Sequence, residues 1–137
     1  MVLSPDPEAD DPDAVATAYC EQLRDVIATT NPIDGQAVPE PIHRAVAHGD
    51  SEAIQLTDAA AILARGDPRL DEDDVRLELL DRLVIGMADG VLDVETLAES
   101  PIIERSESEL RAILTDAQSI TLAEYARLSW AIGQEGA

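Results

Sequence analysis

The chain has 137 residues with no lysine and no phenylalanine, and nine arginines face 29 Asp and Glu for a formal net charge of −20. With 45% apolar residues it is too hydrophobic for an acidic disordered chain, which needs low hydrophobicity as well as charge. The charge argues against attraction to anionic lipid, and the single cysteine, Cys20, excludes an intrachain disulfide.

Acid excess, absent lysine and small apolar residues in place of large ones fit a protein working in molar salt. There a Debye length of about 3 Å removes most of the self-repulsion. No basic segment opens the chain ahead of a long apolar stretch, and no apolar run is long enough to span a bilayer. The expectation is a halophilic, cytoplasmic protein without membrane association.

Residues 1–10 combine two prolines with acids and are expected to be disordered. An N-terminal helical segment follows over 11–66. Asp11 and Pro12 suit an N-cap and first helical position, and Val15, Tyr19, Leu23, Val26 and Ile27 recur at helical spacing. Three prolines and Gly35 make 31–41 a loop, and a short helix over 41–48 stops at Gly49. Ala53, Ile54, Leu56, Ala60, Ile62 and Leu63 predict a helix over 51–65.

A second unit spans 71–134. Asp71 caps a long helix whose apolar face is Val75, Leu79, Leu80, Leu83, Val84 and Met87, stopped at Asp89-Gly90. Asp93 caps 94–99. Ser106 with Glu109 forms a capping box for 107–115, and Thr121 with Glu124 forms a second for 122–133. No alternating β-branched runs stand between turn signals. The fold class is therefore all-α, a compact bundle of six or seven helices.

Few residues stand out chemically. The stretch from Asp89 to Glu95 has the acids of a calcium loop, but its ligand positions fall on Ile85 and Met87, so it reads as a helix stop and an N-cap. His43 and His48, five apart, read as a solvated helix end, and Cys20 as a buried thiol. Tyr19 and Tyr125 are expected in the core with hydroxyls at its rim. No phosphate-cradling glycine loop, nucleophile elbow or zinc spacing occurs. No catalysis, cofactor or metal is expected.

The C-terminal unit carries Leu97-Ala98, then Ile103, then Ser106 with Leu110 and Ile113, then Thr121-Leu122, and finally Ile132-Gly133. In this order the parts resemble the lambda-repressor-like (Xre/Cro-type) helix-turn-helix family over nearly half the chain. The turn after the second helix is longer than the family's, and has Pro101 and Ile102 where a glycine is usual.

The resemblance implies a DNA-binding regulator, or a degenerate relative of one. Residues 106–115 would enter the major groove, and a dimer would set half-site spacing. The DNA contacts it implies are Arg105, Ser106, Ser108, Arg111 and Thr115, the arginines reaching phosphate or guanine edges. Against this stand Glu104, Glu107 and Glu109 on the same stretch. The alternative is a protein–protein adaptor, or a self-associating dimer, using the helix-turn-helix only as scaffold. Its expected sign is an exposed apolar patch at Val15, Tyr19, Val26 and Ile27.

Overall fold

Asp11 opens the first helix as its sequence requires: its carboxylate accepts the Ala14 N–H at 2.8 Å, and Pro12 takes the first helical position. The structure, a computed structural model, describes residues 11–29, 40–65, 71–90, 92–100, 102–115 and 119–135. The expectations for 1–10 and for most of the 31–41 loop lie outside the described residues. Seven α-helices occur among those described: α1 (Pro12–Thr29), α2 (Glu40–His48), α3 (Leu56–Arg65), α4 (Glu72–Asp89), α5 (Val94–Ala98), α6 (Glu107–Leu114) and α7 (Leu122–Glu135). The fold is all-α and compact, and none of these helices is long and apolar enough to cross a membrane.

One continuous core draws on both predicted units. α1 lies along α7, and α3 packs on α4. Val15, Tyr19, Leu23 and Val26 of α1 are all 5% exposed or less. Of the apolar patch expected at Val15, Tyr19, Val26 and Ile27, the first three are thus buried and Ile27 is half-buried against the core, because the stripe covers α7. Cys20 is buried beside them, and burial pushes its thiol pKa up.

α2 ends in a Schellman arrangement, with Gly49 at φ 70°. Gly49 N–H donates to the Val46 carbonyl, and Asp50 N–H to that of Ala45. Arg24 of α1 donates to the Val46 and Ala47 carbonyls, closing the same helix end from outside.

The helix expected over 51–65 is divided. Ser51–Ala53 forms a 3-10 turn, Ile54 and Gln55 are extended, and α3 starts afresh at Leu56. Here the backbone pairs across the molecule. Leu56 N–H donates to the Ile120 carbonyl at 2.8 Å and Leu122 N–H to that of Ile54 at 2.7 Å, an isolated antiparallel bridge of Gln55 with Thr121. Ile54 and Ile120 are buried beneath it. Burial of both side chains with paired backbone outweighs one more helical turn.

Tyr125 is wholly internal. Its ring lies 5.7 Å from that of Tyr19, tilted by 49°, and its hydroxyl donates to the Leu79 carbonyl at 2.8 Å. The hydroxyl is therefore not at the rim of the core, because α4 offers it a second lone pair inside. α7 also runs through Gly133 to Glu135, beyond its expected end. Gly133 adopts no positive φ, so its backbone does not break the helix there.

Candidate functional site

Helices α4 to α7 follow one another in the order expected of a helix-turn-helix unit, with eight residues (99–106) joining α5 to α6. A tight helix-turn-helix turn has about 3–4. Asp93 caps α5 by accepting the Thr96 N–H at 2.8 Å, which holds its carboxyl below the ordinary range and commits it to the helix end.

Ser106 and Glu109 form a complete capping box on α6. The Ser106 hydroxyl accepts the Glu109 N–H, and the Glu109 carboxylate accepts the Ser106 N–H. Arg105, next to the box, donates through Nε and Nη2 to both carboxylate oxygens of Glu124 at 2.8 and 2.9 Å. Its Nη1 donates to Glu109 at 3.0 Å. The Arg105 side chain is only 25% exposed and that of Glu124 19%. The guanidinium therefore bridges the start of α6 to the first turn of α7, in the bidentate geometry that arginine alone provides. The expected second capping box is correspondingly incomplete in role: Thr121 accepts the Glu124 N–H, while the Glu124 carboxylate goes to Arg105.

The remaining candidates sit on α6 or at its end. Arg111 donates to Glu107 at 2.7 Å in an exposed i,i+4 pair. The Thr115 hydroxyl donates to the Arg111 carbonyl at 2.8 Å. Ser108 is exposed. Of the five residues singled out, Arg105, Ser106, Arg111 and Thr115 thus bond within the α6–α7 framework, and both arginines do so with glutamates. Over 104–115, three glutamates oppose two arginines. A surface that binds phosphate needs the reverse balance.

These bonds make a pH prediction. Arg105 first, then the Ser106 backbone and hydroxyl, hold the Glu109 carboxyl below its ordinary value. A depressed folded pKa adds stability that is present above the unfolded value, about 4.3, and is lost as pH falls through the folded one. In about 2 M salt, where long-range repulsion is screened, melting should be flat from about pH 8 to 5 and fall below about pH 4. Glu109→Gln should flatten part of that fall.

A second feature was missed by the sequence reading. Leu77, Val84 and Ile85, the exposed large apolar side chains among the described residues, all lie on α4, at 50%, 43% and 51% exposure. Val84, expected on the buried face with Leu80 and Leu83, points outward. The signal was present as a second stripe on one helix, spaced i, i+7 and i+8. This face borders two clefts. One of about 470 Å³ lies between α1, α4 and α7, around Tyr19, Ile85, Gly86 and Ile132. The other, about 460 Å³, lies between α4 and α6, lined by Leu77, Leu80, Val84, Leu114 and Thr115 with Glu78 and Asp81.

His43 and His48 are both exposed on α2. Among the described residues no three His, Cys, Asp or Glu side chains converge as metal ligands would.

Residues 15–135 match DUF5791, a family of unknown function, and the chain belongs to that family. The matched stretch runs from α1 into α7. No curated protein and no solved structure matches the chain.

Proposed function

We propose that this member of the DUF5791 family is a non-enzymatic protein-interaction module, built on a helix-turn-helix-like scaffold and working in a salt-rich cytoplasm. The observation that carries this reading is the commitment of both arginines near α6 to carboxylates of the same chain: Arg105 to Glu124 and Glu109, Arg111 to Glu107. A DNA reader needs such groups for phosphates and base edges. The alternative, sequence-selective DNA binding through α6, draws its support from the helix order of α4–α7 and from exposed Ser108.

Selection from a random duplex library at about 2 M salt separates the two, since nonspecific counterion release is suppressed there. No duplex should be enriched by the full chain. Glu104→Lys with Glu107→Lys, which leaves the capping box intact, should not create selectivity. Enrichment of a defined sequence by the unaltered protein, lost on Ser108→Glu while the fold is retained, would overturn the proposal.

A further inference from the structure

The outer face of α4 carries apolar and acidic side chains, with exposed Arg82 at its edge, one turn from Glu78 and on the side of the α1–α7 cleft. Leu77 and Val84 lie two turns apart, with Ile85 beside Val84, and the exposed carboxylates of Asp74, Glu78 and Asp81 run along the same face. Leu114 and Thr115 supply the opposite wall of the groove. Glu78 and Asp81 make no hydrogen bond or ion pair among the described residues, unlike the glutamates around Arg105. We propose that this groove docks a cationic amphipathic helix of a partner protein, its apolar side chains seated on Leu77 and Val84 and its Lys or Arg residues meeting Glu78 and Asp81.

Charge decides between occupants. Asp81 lies between Leu77 and Val84, four residues after one and three before the other, on the same face. A second copy pairing about a twofold axis through this patch would bring Asp81 toward its own counterpart as both lose water, which is costly. A helix with basic residues flanking an apolar stripe satisfies both components, the helix-in-groove mode with anchors at i, i+3 or i+4, and i+7. Leu77 to Ile85 spans about 12 Å of helix axis, enough to engage two turns. In concentrated salt the apolar contact supplies most of the affinity, and the carboxylates, partly shielded from solvent once docked, select the sign of the partner.

This site rests on the protein-interaction reading, and it is tested separately. A displayed library of helical peptides of about 16 residues, randomised on all faces, is selected against the full chain at about 2 M salt. Enriched peptides should be net cationic with apolar residues at helical spacing. Leu77→Asp with Val84→Asp should weaken them at least about tenfold with unchanged circular dichroism. Because that change adds negative charge, the loss would be one of apolar contact. Asp81→Lys should weaken them severalfold. No enrichment, enrichment of neutral or acidic peptides, or binding indifferent to these substitutions would overturn the site. So would a concentration-dependent mass abolished by Leu77→Asp, which assigns the face to a second copy. If only the α4 site fails, duplex selection remains negative; if the interaction reading fails, a defined duplex is recovered.

Discussion

Moved from about 2 M to about 0.1 M salt, the protein is expected to lose most of its helical circular dichroism at room temperature. The net charge of −20 can be spread over a folded sphere of about 18 Å radius and over an unfolded coil of about 38 Å. With Debye lengths of about 3 Å at 1 M and 10 Å at 0.1 M, the repulsion opposing the compact state grows by roughly 7 kcal/mol between the two. A whole domain is stable by about 5–15 kcal/mol. The ion pairs among the described residues do not offset this, since most are exposed, and exposed pairs contribute about 0–1 kcal/mol each. Melting followed by circular dichroism across a salt series checks the expectation. Sodium chloride and potassium chloride should act alike if screening dominates. Equal melting temperatures at about 0.1 M and 2 M would contradict adaptation of the chain to molar salt.

Replacing Arg105 should cost more than replacing any exposed arginine. Arg105→Ala removes three charge-assisted hydrogen bonds and leaves Glu124, 19% exposed, without its cation. Partial solvent screening discounts the loss, so about 2 kcal/mol is expected, or a fall in Tm of about 6–10 °C. Arg105→Lys should recover only part of it, because an ammonium cannot engage both Glu124 oxygens as a planar fork does. Arg111→Ala, which breaks an exposed pair, should stay within about 0.5 kcal/mol. Thermal melts of the three variants at about 2 M salt give the comparison. An Arg105→Ala protein as stable as the parent would mean that the guanidinium is held loosely and is free for a ligand.

Features fixed within one helical turn were legible in the sequence. Asp11, Asp71, Asp93 and Ser106 all cap helices where expected, because an acceptor side chain meets an N–H two or three residues on. Features set by distant partners were not. Gln55 and Thr121 are far apart in sequence, so nothing near Ile54 announced that its carbonyl would leave the helix for Leu122. Glu124 satisfies the local rule for a capping box, yet Arg105, nineteen residues earlier, claims its carboxylate. The same pair changes the meaning of the candidate site. Arg105 has the composition of a DNA contact and the geometry of a clamp. On α4, Leu77 and Val84 look like ordinary members of an apolar helix, and only the packing of α3, α6 and α7 decides which stripe is left outside.

The most direct test is an amide chemical-shift map of the full chain at about 2 M salt, recorded once with the duplex pool left after the last round of selection and once with the selected cationic peptide. The α6 amides from Ser106 to Thr115 should stay unmoved by the duplex, and those around Leu77, Val84 and Ile85 should shift with the peptide. Shifts confined to α6 on adding duplex, with α4 silent to the peptide, would contradict the assignment of α6 to the scaffold and of α4 to the partner.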